Sequence, residues 1–488
     1  MPHNKPLSRR SFLQSGGRLA AGALAASALP LGARPAHAAS QTQAAPRTAS
    51  TAAGANERIN LAVIGVHGRG KNHIDAFGAM PNVRIAALCD IDLNVLDERA
   101  AYVAQTFGYK PATYQHEQQL LESRDIDAVT IATPNHWHAL GTIWACQAGK
   151  HVFVEKPCCH NVYEGRRMVE AARRYGRTVS VGFQNRSSRG VRQAIAFLRG
   201  GGIGDVYMAR GLCFKPRDPI GRVPDGLGTG KAYEYFVWNE PGVNYDRAYM
   251  DKVDYDAWLG PAPVRPFNYN RFHYNWHWHW DYGNGDIGNQ GPHQWDVARW
   301  GLGAEDHPVK ICSSGGYYGE PSAQETPNTQ TAQVIYADGR MIEFEVRGLT
   351  TNAEDGILIG NLFYGTKGWL RIDGDEWQSY FGRKNEPGPG SKTAGQENFG
   401  DAAEAAAIEG GHYANFIYAL RKNDPKSLTC PIEAGYMSSA LPPLANISYR
   451  LDRRLTFDPA TERFVADAEA DRMLTRDYRP PYILPEFR

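Results

Sequence analysis

Short apolar runs alternate with helical segments along residues 58–183. Five runs are typical of buried strands, at residues 59–64, 83–89, 127–132, 151–155 and 178–183. The segments between them have a helical pattern, at residues 72–80, 138–149 and 163–175. Strands separated by helices predict a parallel, doubly wound α/β sheet. Ligands of such sheets bind beyond the carboxyl ends of the strands, so polar residues there are the first candidates for a site.

A different pattern follows farther along the chain. Apolar and polar residues alternate over 333–336, 341–346 and 368–372, which indicates strands with one buried face. The tail from Leu451 to Arg488 is typical of an extended arm, and we expect a C-terminal extension there that suits contact with a neighbouring subunit. With 42% hydrophobic and 22% charged residues over 488 positions, the chain can hold two domains with substantial cores.

Charge and cysteine content exclude several classes of protein. A balance of 53 basic against 52 acidic residues leaves a net charge of +1, which offers no field for nucleic acid or an anionic membrane. The seven cysteines are scattered and Cys158 adjoins Cys159, so a disulfide framework is not indicated. The 11 Trp and 25 Tyr suit the faces of a sugar, although such rings also fill ordinary cores.

The first residues are typical of an export signal. Ser8-Arg9-Arg10-Ser11-Phe12-Leu13 precedes an Ala/Leu/Gly-rich stretch, and Ala36-His37-Ala38 has the small residues that a signal peptidase reads. We predict a Tat signal peptide at residues 1–38, a flexible linker at 39–57, and export of the folded protein to the periplasm. The alternative is a chance pair of arginines in a disordered tail.

A glycine-rich loop directly follows the first predicted strand. Gly65-Val66-His67-Gly68-Arg69-Gly70 has the position of a phosphate-binding turn between a strand and a helix. In such a turn the backbone approaches a pyrophosphate, whose charge is held at the helix N-terminus. His67 stands where the fingerprint has its middle glycine, so either the loop bends differently or the imidazole lies outward.

The second predicted strand ends at Asp90, about twenty residues after the last glycine of the loop, as expected of an acid that binds ribose. A carboxylate there accepts hydrogen bonds from the ribose hydroxyls and repels a 2′-phosphate. NAD is therefore the predicted cofactor and NADP the less favoured one. The alternative is a capping Asp before the helix that starts near Leu93, and Asp90 and Asp92 can divide the two roles.

Polar clusters follow three further strand ends, and packing alone does not explain them. They are Thr133-Pro134-Asn135-His136-Trp137-His138, Glu155-Lys156-Pro157 and Gly182-Phe183-Gln184-Asn185-Arg186. We predict a dinucleotide site formed by Gly65, His67, Gly68, Arg69, Gly70, Asp90, Ile91, Thr133, Pro134, Asn135, His138, Glu155, Lys156 and Gln184.

These motifs, in this order, resemble the Gfo/Idh/MocA family of oxidoreductases, named for glucose-fructose oxidoreductase, inositol dehydrogenase and a rhizopine-catabolism protein. The similarity runs from about Arg58 to Arg450. It implies an NAD(P)-binding Rossmann domain at residues 58–183. It also implies an α+β domain with an open, mostly antiparallel sheet at 184–450, which binds substrate and forms homodimers or homotetramers.

The resemblance also implies where the chemistry occurs. Glu155-Lys156-Pro157 matches the family's Glu-Lys-Pro signature, whose lysine lies between nicotinamide and substrate. Lys156 is therefore the first candidate to polarise the reacting oxygen. Glu155 is expected to orient Lys156 or the cofactor.

A second family segment resembles residues 285–296, where His293 matches a histidine that we predict to be the general acid/base. The family's aspartate falls at Asn289, four residues earlier, and asparagine binds a hydroxyl but takes no proton. Lys156 and His293 then carry the proton alone, or another carboxylate such as Asp286 takes part.

Further substrate contacts are predicted from Arg217 and Trp280. Arg217 follows an apolar strand and either reaches the substrate or lies in a solvated loop. Trp280 belongs to a His/Trp-rich stretch, residues 271–282, in which alternation predicts a strand with His277 and His279 on one face. This stretch forms either an aromatic wall of a sugar pocket or part of a core. A metal site that includes His273 is conceivable, but no metal is predicted.

The leading interpretation is an NAD(P)-dependent oxidoreductase that acts on a hydroxyl or keto group of a sugar or glycoside, with a tightly bound cofactor that is recycled on a second sugar. One alternative is an NAD-dependent glycosidase that uses transient oxidation at C3 followed by elimination. The other is a non-catalytic sugar-binding protein with a vestigial cofactor. The expected partners are a small-molecule sugar and further copies of the chain.

Overall fold

The computed structural model describes residues 58–227, 245–393 and 408–487. The chain divides into two units, Met1–Ala53 and Gly54–Arg488, and all described residues belong to the second. The predicted Tat signal peptide at 1–38 and the predicted linker at 39–57 lie outside the described residues.

The first sheet has six parallel strands in the order β3-β2-β1-β4-β5-β6. They are β1 (Ile59–Ile64), β2 (Val83–Cys89), β3 (Ala112–Tyr114), β4 (Ala128–Ile131), β5 (His151–Val154) and β6 (Val179–Val181). Ala62 and Ile64 of β1 join one hydrophobic cluster, whereas Leu61 and Val63 join another. Both faces of the sheet are therefore covered, and the predicted doubly wound fold is confirmed.

Helices connect these strands. They are α1 (Gly68–Gly78), α2 (Leu93–Phe107), α3 (Glu117–Leu121), α4 (Asn135–Gln147) and α5 (Val162–Arg174). Two of them begin earlier than predicted: α1 begins inside the glycine loop, and α4 begins directly after Pro134. Proline suits this place because its fixed φ and missing N–H cost a helix nothing at the start.

The second sheet has ten strands in the order β14-β13-β12-β11-β7-β10-β9-β8-β15-β16. They are β7 (Val206–Cys213), β8 (Lys310–Gly316), β9 (Thr329–Ile335), β10 (Met341–Arg347), β11 (Ile359–Gly365), β12 (Gly368–Asp373), β13 (Glu376–Phe381), β14 (Glu386–Gly390), β15 (Leu455–Asp458) and β16 (Arg463–Phe464). Within the described part of this second sheet, β7 and β10 pair in parallel and the other strand pairs are antiparallel. The predicted mostly antiparallel second sheet is confirmed.

The helices of this part are α6 (Arg189–Arg199), α7 (Arg247–Met250), α8 (Tyr255–Leu259), α9 (Asp286–Asn289), α10 (Gly291–Leu302), α11 (Gly411–Lys422), α12 (Ile432–Ser439), α13 (Leu441–Leu451) and α14 (Ala468–Arg472). Helix α10 packs on the second sheet, where Trp295 stacks on Phe344 with ring centroids 4.4 Å apart. Its Asp296 also forms a buried ion pair with Arg186, which follows β6, at 2.8 Å between Nη2 and Oδ1. This pair fixes α10 relative to the first sheet.

Residues 245–282, which we call the covering segment, lie against the connection between β2 and α2. Asp92 Oδ2 accepts a hydrogen bond from the Tyr249 hydroxyl at 2.6 Å and lies 2.9 Å from His273 Nε2. The backbone N–H of Asp254 donates to the carbonyl oxygen of Ile91 at 3.1 Å. The segment is thus hydrogen-bonded to the residues that follow the carboxyl end of β2.

The His/Trp-rich part of the covering segment is not a strand, which corrects the sequence prediction. Asn275–Trp278 is a 3₁₀ turn. The Tyr274 carbonyl accepts both the backbone N–H of His277, at 3.4 Å, and its ring Nδ1–H, at 2.6 Å. An unpaired strand here would leave its backbone groups without partners, whereas the turn satisfies them locally. His277 and His279 consequently have different surroundings.

The residues after Leu451 pack on the same chain. Strand β15 pairs with β8, and the Tyr482 ring lies against Trp137 with centroids 5.3 Å apart. Arg479 Nη1 lies 2.7 Å from Asp256 Oδ1. Among the described residues, no helix has both the length and the apolar character needed to cross a membrane.

Candidate active site

A cavity of about 700 Å³ lies at the carboxyl ends of the parallel strands and beside the covering segment. Every predicted cofactor-binding residue except Gly70 lines it. Lys156, Asn289 and His293 line it as well, although they are far apart in sequence. The fold therefore brings the predicted cofactor residues and the predicted catalytic residues into one space.

Two glycines of the loop lie so close to other backbone atoms that a side chain would not fit. A Cβ on Gly65, which has φ of +76°, would lie 2.8 Å from the backbone nitrogen of Thr133. A Cβ on Gly70 would lie 1.9 Å from the Gly65 carbonyl oxygen, so Gly70 packs behind the cavity wall. The loop and the first turn of α1, whose N–H groups have no intrahelical acceptors, form a cradle that fits a pyrophosphate.

His67 does not fill this cradle. Its ring stacks on that of His273 in the covering segment, with centroids 4.7 Å apart and planes at 16°. The imidazole therefore lies against the covering segment, in the wall of the cavity. The residue that departs from the glycine fingerprint thus contacts the second part of the chain.

Asp90 and Asp92 divide the two roles that the sequence left open. Asp90 lines the cavity, where Oδ2 accepts the N–H of Val66 at 2.9 Å and Oδ1 accepts that of Asp92 at 3.1 Å. Burial raises the pKa of Asp90. Each of its oxygens keeps a second lone pair that suits a ribose hydroxyl. Asp92 is the cap of α2 and accepts the N–H of Asn94 at 2.9 Å.

Glu155 is held as a fixed carboxylate beside the loop. Its Oε1 accepts from Arg69 Nε at 2.7 Å and lies 3.1 Å from His73 Nε2. Burial works to raise the pKa of Glu155, but the hydrogen bond from His73 and the charges of Arg69 and Lys156 hold it well below its usual range. Arg69 also donates to Gln184 Oε1 at 3.1 Å. Through Arg69, the polar cluster that contains Glu155 is therefore connected to the one that contains Gln184.

Lys156 projects into the cavity from the end of β5. Its Nζ donates to the carbonyl oxygen of Asn289 at 2.9 Å. Burial lowers the pKa of Lys156 to about 8, although the charge of Glu155 opposes this shift. Both the protonated and the neutral amine are therefore accessible near neutral pH, which is what a group that gives and takes a proton requires.

Asn289 and His293 come from adjacent helices. Gln290, between α9 and α10, keeps helical dihedral angles, so the chain continues almost as one helix. Burial lowers the pKa of His293 to about 3, helped by the charge of Lys156, and the imidazole is neutral at pH 7. An imidazole with so low a pKa can bind a hydroxyl but takes a proton only weakly.

Two residues predicted to contact substrate lie elsewhere. Arg217 forms a buried ion pair with Asp286, 2.7 Å between Nη2 and Oδ1, and neither residue lines the cavity. This corrects the predicted substrate contact of Arg217, and it also removes Asp286 as a free proton carrier. Trp280 packs beside Tyr449 and under Arg450, whose guanidinium lies 5.2 Å from the ring centroid, so it too does not line the cavity.

The covering segment supplies several cavity residues. They include Tyr274, Trp276 and His277, from the stretch for which an aromatic wall was one alternative, and Trp258, which the sequence did not single out. Lys215, which follows β7, lines the same cavity. The signal that was available is the interleaving of Trp and His, but its alternation indicated a strand. The 3₁₀ turn instead directs Trp276 and His277 to the cavity.

Glu117, in the first turn of α3, is a further cavity residue that the sequence did not indicate. It lines the cavity and is 7% exposed, and its Oε1 has no hydrogen-bond partner among the described residues. Burial raises the pKa of Glu117 to about 8. A buried carboxyl without a partner is costly, and here it is neutral over much of the physiological range.

Within residues 58–227, 245–393 and 408–487, no three His, Cys, Asp or Glu side chains are placed to hold a metal ion. The three histidines considered for such a site have separate partners. His273 bonds to Asp92, His277 bonds to the Tyr274 carbonyl, and His279 Nδ1 lies 3.4 Å from Glu325 Oε1.

Two family models match this chain. Residues 59–183 match the Gfo/Idh/MocA model described as an oxidoreductase family with an NAD-binding Rossmann fold. Residues 227–358 and 408–484 match the model of the C-terminal α/β domain of that oxidoreductase family. Together the matches cover more than half of the chain. The predicted cofactor, NAD, agrees with the NAD-binding domain that the first model describes.

The chain is also similar to one group of curated relatives over part of their length and to solved structures of the same fold. A Glycosyl hydrolase family 109 protein of Shewanella pealeana is 36% identical over 173 residues, which is 34% of this chain and 37% of that relative. The WlbA dehydrogenase of Bordetella pertussis, solved with NADH and UDP-GlcNAcA, has a TM-score of 0.57 at 20% identity over 82% of this chain and 99% of its own. A levoglucosan dehydrogenase with NADH and levoglucosan has a TM-score of 0.58 at 20% identity, with the same coverage of 82% and 99%. These two structures share the fold with this chain.

Proposed function

Because the chain belongs to the Gfo/Idh/MocA family of oxidoreductases, we propose that it transfers a hydride between NAD and a hydroxyl-bearing carbon of a sugar or glycoside. The observation that carries the proposal is one cavity that contains both the glycine loop and Lys156. NAD, when bound, supplies the hydride acceptor and donor. The sugar dehydrogenases that share the fold support the substrate class.

The residues of the first sheet would hold the cofactor. The loop at Gly65 and Gly68 suits the pyrophosphate, and its close packing leaves no room for a Cβ on Gly65 or Gly70. Asp90 suits the adenosine ribose, since its two oxygens are already oriented by backbone N–H groups. Glu155 and Arg69 fix the wall beside Lys156.

Lys156 carries the proton of the reacting hydroxyl. The neutral amine takes this proton as the carbon loses its hydride, and the ammonium returns it when a keto sugar is reduced. The Asn289 carbonyl keeps Nζ in place through its 2.9 Å hydrogen bond. His293, whose pKa burial lowers to about 3, is proposed to bind a hydroxyl of the substrate, while Lys156 takes the acid/base role that was predicted for His293.

The test is reduction of the bound nicotinamide by a panel of sugars, followed by its absorbance in a single turnover. Lys156→Met is expected to lower the rate by about 10²- to 10⁴-fold, the usual contribution of a general base. Lys215→Met is the matched control, since it removes the charge of another lysine lining the same cavity. Equal losses in both variants would show that charge, and not proton transfer by Lys156, sets the rate.

We further propose that NAD stays bound and is recycled on a second sugar, in an enzyme that the Tat pathway exports folded to the periplasm. The twin arginines support export, and the hydrogen bonds of the covering segment to Asp92 support retention of the cofactor. Purified protein should release about one nicotinamide per chain on denaturation, and none would contradict retention. Replacing Arg9 and Arg10 with Lys should keep the protein in the cytoplasm.

A homodimer or homotetramer formed through the second sheet is proposed on the family resemblance. Light scattering of the purified protein would measure its mass. A monomeric mass at micromolar concentration would contradict this proposal.

A glycosidase is the second candidate, because the relative that matches over 173 residues is a Glycosyl hydrolase family 109 protein. Loss of a hydride and a proton at C3 gives a ketone, which acidifies the C2 proton. Removal of that proton expels the glycosidic oxygen from C1, water then adds at C1 as the proton returns to C2, and the hydride returns to C3. Release of nitrophenol from a nitrophenyl glycoside without net reduced nicotinamide would favour this reaction over net oxidation.

A further inference from the structure

His277 has one ring nitrogen committed to the protein and the other left for the cavity. Nδ1 lies 2.6 Å from the Tyr274 carbonyl oxygen, and a carbonyl only accepts, so Nδ1 carries the proton. Nε2 is then the nitrogen with the lone pair. It has no hydrogen-bond partner among the described residues, and it is not sealed from solvent as both ring nitrogens of His279 are. The residue lines the cavity with Lys156.

The ring is held in this orientation from several sides. It stacks on Trp276 with centroids 3.6 Å apart and planes at 20°. The carbonyl oxygen of His277 accepts the N–H of Gly285 at 2.8 Å. A Cβ on Gly283 would lie 2.6 Å from that oxygen, so the chain approaches His277 closely at a residue without a side chain. A side chain fixed this firmly loses little entropy when it binds a ligand.

The charge state of the His277 ring suits a hydrogen-bond acceptor. Burial, with the positive charges of Lys156 and Arg217 and the neighbouring His138, holds the pKa of His277 well below its usual range. The ring is therefore neutral at pH 7, and Nε2 keeps its lone pair. Lys156 lines the same cavity as a hydrogen-bond donor, because its ammonium form can donate but not accept.

We propose that His277 Nε2 accepts a hydrogen bond from a sugar hydroxyl other than the reacting one, and so selects sugars that carry this hydroxyl. The inference rests on the substrate class given under the proposed function. It adds a specificity-determining residue from the covering segment. Trp276, stacked on the same ring, also lines the cavity beside this acceptor.

The experiment pairs deletion of the side-chain acceptor with deletion of the sugar hydroxyl. Binding of methyl β-D-glucopyranoside, methyl β-D-galactopyranoside and their monodeoxy derivatives is measured by calorimetry on the full protein with its cofactor. The wild type should bind one deoxy derivative roughly 5- to 150-fold more weakly than its parent, the range for a buried acceptor left unpaired. His277→Ala should bind that pair equally.

Two further variants separate a direct contact from a structural effect. His277→Gln should restore part of the discrimination, because its amide oxygen can accept near the position of Nε2. His279→Gln is the matched control, since His279 is buried in the same segment but does not line the cavity, and it should discriminate like the wild type. Discrimination that persists in His277→Ala, or that is lost equally in His279→Gln, would overturn the proposal, and so would a failure of both parents to bind.

Reduction of the bound nicotinamide is recorded separately for each sugar. A protein whose sugar binding depends on His277 but whose nicotinamide is never reduced would refute the proposed oxidoreductase and leave this inference standing. A protein that oxidises sugars with the same deoxy preferences in the wild type and in His277→Ala would refute this inference alone.

Discussion

Replacing Glu117 with Gln is expected to make the protein more stable above neutral pH. The side chain is 7% exposed, and its Oε1 has no partner among the described residues. Burial raises the pKa of Glu117 from its ordinary 4.5 to about 8. The same carboxyl in the unfolded chain titrates near its ordinary value, so folding above that pH requires uptake of a proton.

The sign and size of the effect follow from these two values. Because the folded-state pKa lies above the unfolded one, stability is fully present below the unfolded value and is lost as the pH rises through about 8. Each pKa unit corresponds to about 1.4 kcal/mol, so the loss reaches about 5 kcal/mol once the pH exceeds the folded value. Glutamine has nearly the same size and does not titrate, and it escapes this loss.

The pH-dependent loss of stability is measured by urea unfolding between about pH 5 and 9. The proteins compared are the wild type, Glu117→Gln and Glu122→Gln. Glu122 is an exposed glutamate one residue beyond α3, and its variant controls for loss of a surface charge. The advantage of Glu117→Gln should grow by about 1.4 kcal/mol per pH unit and level off above pH 8. Three curves with the same pH dependence would refute a buried, protonated carboxyl at this position.

Three further predictions concern the cavity. The rate of sugar oxidation should rise about tenfold per pH unit and level off above the Lys156 pKa of about 8, because the neutral amine is the proposed active form. A rate that does not change with pH in single-turnover measurements would contradict proton transfer by Lys156. Gly70→Ala should lower the free energy of unfolding by about 1–3 kcal/mol and reduce the nicotinamide content of the purified protein, because its Cβ would lie 1.9 Å from the Gly65 carbonyl oxygen; unchanged urea unfolding would mean that the loop shifts freely. Asp90→Ser should raise the affinity for NADP relative to NAD, measured by calorimetry on protein freed of cofactor, and an unchanged ratio would show that another group excludes the 2′-phosphate.

The parallel sheet was predictable because each of its strands is specified by a short run of neighbouring residues. Strands β1 and β2 were predicted with their observed bounds, since each is a mainly apolar run that is followed directly by a glycine or an aspartate. The ends of parallel strands meet at one edge, so Asp90 and Lys156 could be placed in one site from their positions after strands. In this topology, residues that follow different strands in the sequence lie close together in space.

The remaining parts of the site depend on contacts that sequence spacing does not contain. Arg217 follows a strand and looked available to substrate, but Asp286, far along the chain, neutralises it. His277 was placed on a strand face because tryptophan and histidine alternate, whereas its own ring closes a turn on the Tyr274 carbonyl. A side chain that bonds to nearby backbone offers an alternative to strand pairing, and residue periodicity does not report such bonds. Glu117 was missed because its burial comes from neighbours on other elements.

The bonds from Tyr249 and His273 to Asp92 have a kinetic consequence. They fasten the covering segment beside Asp90. Under the NAD retention that we propose, sugars would exchange many times for each departure of NAD, and two sugars would use one redox centre in turn, the first leaving before the second arrives. Double-reciprocal plots at several fixed concentrations of the second sugar should be parallel lines. The direction of flux would follow the ratio of the two sugars and their ketones, independent of the balance of free NAD and NADH outside the protein.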